Sequence, residues 1–73
     1  MMKLGKYLHY KGELVEVIGV ANHSETLEKM VVYRTLIASK GFPKGTLWVR
    51  PERMFLERVE VDGKKVARFK FLK

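Results

Sequence analysis

Short stretches rich in apolar, β-branched and aromatic residues cover most of this chain, and these strand signals predict a series of β-strands with almost no helix. Between the stretches at residues 29–37 and 46–50 lies ASKGFPKG (38–45), which contains two glycines and a proline and is typical of a connection. Pro51 ends the strand predicted at residues 46–50, because proline cannot donate a hydrogen bond to the strand ladder. The segment PERMFLE (51–57) predicts one helical turn with Pro51 at its first position. The stretches are KYLHY (6–10), ELVEVIGVA (13–21), KMVVYRTLI (29–37), TLWVR (46–50) and FLERVEVDGKKVARFKF (55–71).

The last stretch contains Asp62-Gly63, a strong hairpin signal because a type I′ turn needs positive φ at both central residues. One register then joins two opposite-charge pairs and two apolar pairs, the consistency expected of a real hairpin. In this register Val61 lies opposite Lys64, Glu60 opposite Lys65, Val59 opposite Val66, Glu57 opposite Arg68, and Leu56 opposite Phe69.

Five or six short strands with tight turns and at most one helical turn predict an all-β fold, namely a small, strongly bent antiparallel barrel. An SH3-like barrel is the first choice and an OB-like barrel the second. Residues 1–73 are expected to form a single domain, because the chain has no room for two. A chain this short buries only about 60 % of the surface that its unfolded form exposes. Recognition at the surface is therefore more natural than catalysis in a deep cleft.

The chain is basic, with a formal net charge of +7. Residues 13–28 are the one acidic block, whereas residues 29–54 carry +5 and residues 55–73 carry +3. A strongly basic domain is typical of nucleic-acid binders, although charge also serves solubility alone. The chain has no cysteine, no apolar run long enough to span a membrane and no signal-peptide pattern at its N-terminus. We therefore expect a cytoplasmic location and no membrane contact.

The fourth strand carries the main candidate for a binding surface. Alternation places Trp48 with Arg50 on one side and Leu47 with Val49 on the other. If Leu47 and Val49 face the core, Trp48 and Arg50 form an exposed stacking platform with a charge for phosphate or carboxylate. A lone tryptophan in a small β domain is also often a core residue, and Arg50 then pairs with a glutamate, the candidates being Glu25, Glu52 and Glu57.

Further aromatic and basic side chains extend this candidate surface. Tyr7 and His9 share one side of the first strand, and Tyr33 offers another ring on which a base could stack. Arg34 interrupts an apolar run and is costly to bury unpaired. It therefore either binds a ligand or pairs with Glu16 on the neighbouring strand.

The sequence His23-Ser24-Glu25 contains the residue types of a hydrolase triad. Neighbours in an extended chain point to opposite sides, so Ser24 would face away from His23 and Glu25. We interpret the segment as a structured turn between two strands, stabilised by side chains that bond nearby backbone amides. It could still display His23, Ser24 and Glu25 to a ligand. His9 and His23 are the only histidines, so we expect no metal site, and no cofactor motif is present.

Four motifs together resemble the small bacterial domain-of-unknown-function family 1653. They are HYKG (9–12), HSETLE (23–28), VVYR (31–34) and WVRP-x-x-MF (48–55), and the likeness runs from Lys6 to about Phe69. The resemblance implies a compact SH3-like β-barrel without an established activity, and it adds Lys11 to the candidate binding residues. Leu8 and Asn22 stand where the family pattern has arginine, and Val15 where it has an aromatic residue. The connection after the third strand is also longer than usual.

These features predict a non-enzymatic binding module, and they favour RNA or DNA as its partner. The alternative is a small protein-interaction or regulatory domain, which could pair through an exposed edge strand at residues 47–50 with another protein or with itself. A weaker alternative is a small-ligand or hydrolytic site, which requires His9, His23, Glu25 and Arg50 to converge.

Overall fold

The computed structural model describes residues 2–73 as seven strands and one short helix. The elements are β1 (Gly5–His9), β2 (Leu14–Asn22), β3 (Lys29–Thr35), β4 (Leu47–Pro51), α1 (Glu52–Phe55), β5 (Arg58–Val61), β6 (Lys64–Ala67) and β7 (Phe69–Phe71). The predicted all-β class and single helical turn are confirmed. Pro51 has extended backbone and immediately precedes α1, so the helix begins one residue later than predicted.

The strands form two antiparallel sheets. Five of them lie in the order β4-β3-β2-β1-β7, and β5 with β6 forms a separate two-stranded ribbon. The long strand β2 carries a bulge between Val17 and Gly19, and such a bulge bends the strand and increases its twist. Within residues 2–73 the two sheets are not joined by strand pairing, so they do not close into a barrel.

The C-terminal hairpin has the register predicted from Asp62-Gly63. Asp62 and Gly63 have φ of 51° and 79°, as a type I′ turn requires, and the pairs Val61–Lys64, Glu60–Lys65 and Val59–Val66 are confirmed. The register ends where Glu57 accepts the Arg68 amide at 3.1 Å.

The predicted pair of Leu56 with Phe69 is wrong because the chain bends at Arg68. Phe69 leaves the ribbon and pairs with His9 of β1, whereas Leu56 caps α1 and is exposed. The bend creates β7 as a separate strand, which is why the structure has one strand more than the five or six expected.

The core lies between the concave face of the five-stranded sheet and α1. Phe55 of α1 stacks on Phe69 with 4.0 Å between ring centroids and packs edge-on against Tyr7. Val15, Val17 and Val31 lie beneath these rings and are almost completely buried, and Tyr33 and Phe69 complete the buried cluster.

The side chains of β4 face the opposite way from the arrangement that would expose Trp48 and Arg50 as a stacking platform. Leu47 and Val49 are 61 % and 62 % exposed, whereas Trp48 is half-buried and packs against the core. The reason is the register with β3, in which Trp48 lies opposite the buried Tyr33 and Val49 opposite Val32 on the outer face. Trp48 and Arg50 therefore belong to the concave side of the sheet.

A candidate ligand-binding cleft

A cleft of about 770 Å³ opens on the side of the sheet that carries Tyr33 and Trp48, and Met54 of α1 is among its lining residues. Strands β1, β3, β4 and β7 supply its floor and walls, and the β1–β2 turn and the segment after β3 form its rim. The principal lining residues are His9, Tyr10, Lys11, Glu13, Tyr33, Thr35, Ser39, Lys40, Trp48, Arg50, Arg68 and Phe69.

Three residues that line the cleft hold a buried polar atom without a hydrogen-bond partner. These atoms are the Thr35 hydroxyl, Trp48 Nε1 and Arg68 Nε, and they are the complete set of such side-chain atoms among residues 2–73. Buried polar groups are normally hydrogen-bonded, and an unmet one costs about 1–3 kcal/mol. Trp48 Nε1 and Arg68 Nε are donors only, and because the atoms themselves are buried, a ligand could reach them only if neighbouring side chains moved.

The charge of the cleft is positive. Lys11, Lys40, Arg50 and Arg68 line it, against the single carboxylate of Glu13. The Ser39 hydroxyl donates to that carboxylate and satisfies part of its hydrogen-bonding capacity.

Arg50 stands in this cleft with its charge available. Its guanidinium lies over the Phe69 ring, with Cζ 5.6 Å from the ring centroid, and it forms no ion pair within the part of the chain that the structure describes. The expected pairing with Glu25, Glu52 or Glu57 is therefore not made. Glu57 instead binds Arg68 at 2.8 Å, which leaves Arg68 Nε unpaired in the cleft.

His9 lies at the edge of the cleft, where its surroundings disfavour the charged imidazolium. Burial lowers its pKa below the usual 6.5, the nearby Arg50, Arg68 and Lys11 lower it further, and only Glu13 opposes them. Nδ1 accepts the Lys11 amide at 3.1 Å, so the proton of the neutral ring is on Nε2. His9 thus offers one more donor.

The aromatic rings of the cleft are Tyr10, Tyr33, Trp48 and Phe69. Trp48 is supported by Phe42, which packs edge-on with 5.0 Å between ring centroids, and Phe42 is itself 48 % exposed. The connection 38–45 therefore packs beside the tryptophan.

Five of the ten candidate binding residues lie away from the cleft, and Tyr7 and Arg34 are two of them. Tyr7 is in the core, where burial raises its pKa and its hydroxyl donates to the Lys3 carbonyl at 2.7 Å. Arg34 is on the outer face and binds Glu16 at 2.6 Å, which is the pairing considered as the alternative to ligand binding. Inward- and outward-facing positions alternate along β1 and β3, which directs Tyr7 into the core and Arg34 to the outer face.

His23, Ser24 and Glu25 form the turn between β2 and β3 and do not line the cleft. The His23 ring builds this turn, since Nδ1 accepts the amides of Glu25 at 3.2 Å and Thr26 at 3.4 Å. The Thr26 hydroxyl accepts the Glu28 amide at 3.2 Å. This geometry agrees with the interpretation of the segment as a structured turn. The alternative of a small-ligand or hydrolytic site requires His23 and Glu25 to lie beside His9 and Arg50, and they do not line the same cleft.

The structure adds three residues that the sequence does not single out, namely Thr35, Arg68 and Phe69. The sequence predicts that Arg68 pairs with Glu57 in the hairpin, and the two side chains do form an ion pair. Only the bend after it turns Phe69 toward His9 and brings Arg68 to the cleft, and no local signal marks that bend.

Two other kinds of site find no support within residues 2–73. No cluster of three or more His, Cys, Asp and Glu side chains is placed to hold a metal ion. No helix has the length and apolar character needed to cross a membrane.

Comparison with known proteins gives a family and a fold. The family model described as "Protein of unknown function (DUF1653)" matches residues 5–71. A crystal structure of a protein of the same family from Bordetella bronchiseptica superposes with a TM-score of 0.85 and 34 % sequence identity, over 97 % of this chain and 87 % of that one. No curated protein matches this chain. The family predicted from the sequence motifs is confirmed, and the chain belongs to the DUF1653 family.

Proposed function

We propose that this domain is a non-enzymatic, cytoplasmic binding module whose cleft takes a nucleotide unit of single-stranded nucleic acid. The observation that carries the proposal is a cleft lined by four basic side chains and one carboxylate, in which Arg50 forms no ion pair among the described residues. A ligand suited to the charge must be an anion, and one suited to the polar lining must carry hydrogen-bonding groups.

A nucleotide has both properties and a planar ring as well. Its phosphate suits Arg50 or Lys40, because guanidinium and ammonium groups bind phosphate oxygens strongly. The half-buried Trp48 ring offers a stacking surface, and such stacking contributes about 1–3 kcal/mol per base. A single strand is favoured over a duplex because its bases are free to enter a concave site.

The test is a titration of short single-stranded RNA and DNA against the protein, followed by Trp48 fluorescence at low salt. Trp48 is the only tryptophan and lines the cleft, so the signal reports directly on the site. We expect quenching by single strands and a weaker response to duplexes of the same length. Electrophoretic mobility of the same samples detects binding that leaves the fluorescence unchanged, and the absence of binding by both methods would refute the proposal.

A pair of matched variants locates the binding. Arg50→Gln and Arg34→Gln each lower the net charge by one, but Arg50 lines the cleft and Arg34 pairs with Glu16 on the outer face. We expect Arg50→Gln to weaken binding at least tenfold, since a charge-assisted hydrogen bond contributes about 1.5–3 kcal/mol. Arg34→Gln should change the affinity less than twofold. Equal losses would mean that general charge, and not the cleft, attracts the strand.

The second candidate function is association with a protein or with a second copy of this chain. Strand β4 is an edge strand of the five-stranded sheet, and its Leu47 and Val49 are exposed. An apolar edge of this kind can add a partner strand. Such association depends on apolar burial, so it should persist at high salt, where binding to a single strand should be lost.

A further inference from the structure

A second, more apolar groove of about 330 Å³ adjoins the cleft. It lies between the outer face of β1 and β7 and the β5–β6 ribbon. Its apolar walls are Leu8, Val61, Val66 and Ala67, and Lys70 provides a charge. Leu8 and Lys70 are directly opposite each other in the β1–β7 pairing, whereas Val61 and Val66 belong to the protruding ribbon.

The groove and the cleft share one wall, made by His9, Tyr10 and Gly12. Tyr10 is 39 % exposed, and its ring lies 4.7 Å from the His9 ring, measured between centroids. The Lys11 ammonium lies 5.7 Å from the Tyr10 ring centroid. A ligand that leaves the cleft across this wall therefore meets an aromatic ring with a cation beside it before it reaches the groove.

We infer that the bound strand continues over this wall, so that the module recognises two consecutive nucleotides, the first in the cleft and the second in the groove. The inference rests on the proposed function and specifies its minimal ligand as a dinucleotide. The second base packs against Tyr10 and the valines of the ribbon, and its phosphate lies within reach of Lys11 or Lys70.

The character of the groove favours this occupant. Leu8, Val61 and Val66 are each more than a third exposed, and a base can cover such apolar side chains with its face. Both cations near the shared wall, Lys11 and Lys70, attract the phosphate of a second nucleotide. An acidic peptide would also suit the lysines, but it lacks the flat ring that the apolar walls and Tyr10 would cover.

The experiment measures the affinity of the whole protein for a nucleoside 5′-monophosphate, a 5′-phosphorylated dinucleotide and the corresponding trinucleotide, by Trp48 fluorescence at fixed low salt. We expect the dinucleotide to bind about tenfold tighter than the mononucleotide, since one further stacked base contributes about 1–3 kcal/mol. The trinucleotide should bind within about threefold of the dinucleotide, because the third unit lies beyond the groove.

Variants confined to the groove separate this inference from the function on which it rests. Val66→Asp puts a carboxylate in the groove without touching the cleft, and Val20→Asp makes the same change on a strand position that lines neither. We expect Val66→Asp to abolish the advantage of the dinucleotide and to leave mononucleotide affinity unchanged, with Val20→Asp behaving as wild type. Lys70→Gln, at an exposed position, should reduce the advantage about threefold and provides a milder second variant.

Each outcome has one meaning. Equal binding of mononucleotide and dinucleotide by the wild type would overturn the two-nucleotide site while leaving the cleft intact. Retention of the full dinucleotide preference in both groove variants would overturn it as well. Failure of every oligomer to bind would remove the proposed function and this inference together.

Discussion

Thr35 is a single buried residue whose side chain is not the one that would give the greatest stability. It is 2 % exposed, and its hydroxyl has no hydrogen-bond partner. A nearly isosteric apolar side chain would fill the same space without the cost of an unmet polar group, which is about 1–3 kcal/mol. A polar residue at such a position is therefore a candidate for a role in binding.

We predict that Thr35→Val raises the free energy of unfolding by about 1 kcal/mol, because it removes a buried polar group whose hydrogen bond is not made. Denaturant unfolding of the two proteins measures this change. Thr46→Val is the matched control, since the Thr46 hydroxyl donates to the Pro43 carbonyl at 2.7 Å, and its loss should destabilise. Destabilisation by Thr35→Val would show that the hydroxyl has an unrecognised partner in the folded protein.

The side chains that form the cleft could be predicted only in part. Alternation along TLWVR correctly groups Trp48 with Arg50, but both sides of that strand carry apolar residues, so the pattern does not say which side is buried. The side is decided by the pairing of Trp48 with Tyr33, which is a tertiary property. Arg34 and Tyr7 have the residue types of binding groups, yet an ion pair and the core account for them.

Among the elements, the β5–β6 hairpin is the one whose geometry follows most directly from local sequence. Only residues that tolerate positive φ can occupy its turn, and Asp62-Gly63 satisfies that condition. The long strands were also predictable, because β2 and β3 are rich in β-branched residues. The separation of β7 from the hairpin could not be predicted, because it depends on a bend at Arg68 and on the pairing of Phe69 with His9.

Gly63→Ala should destabilise the protein by about 1–2 kcal/mol, because an L-residue with a side chain pays roughly this amount in the left-handed region. Gly63 has φ of 79°, and a Cβ there would meet no atom within 4 Å, so conformation alone is tested. Gly19→Ala is the control, since Gly19 is also uncrowded but lies outside the positive-φ region. It should be neutral or slightly stabilising. Thermal unfolding of both variants measures the difference, and equal effects would contradict a type I′ turn.

For the whole molecule, the family and the all-β class could be inferred from sequence, whereas the division into two sheets that do not close into a barrel could not. A chain of 73 residues buries a small core, and here that core is one aromatic and valine cluster under α1. The cleft opens beside this cluster and shares Tyr33 and Phe69 with it.

The net charge of +7 permits two kinds of nucleic-acid binding, and their salt dependence separates them. If the contacts are confined to the cleft and the groove, about two phosphates are neutralised. The logarithm of the affinity should then fall with the logarithm of salt concentration with a slope of about −1.4, since single strands give about −0.7 per phosphate. The slope should be the same for a dinucleotide and a dodecanucleotide, and Arg50→Gln should reduce it by about 0.7. If the whole basic surface binds, the slope steepens as the strand lengthens and Arg50 loses its special effect. Fluorescence titrations at four salt concentrations with both lengths distinguish these outcomes, and a length-dependent slope would place the binding outside the cleft.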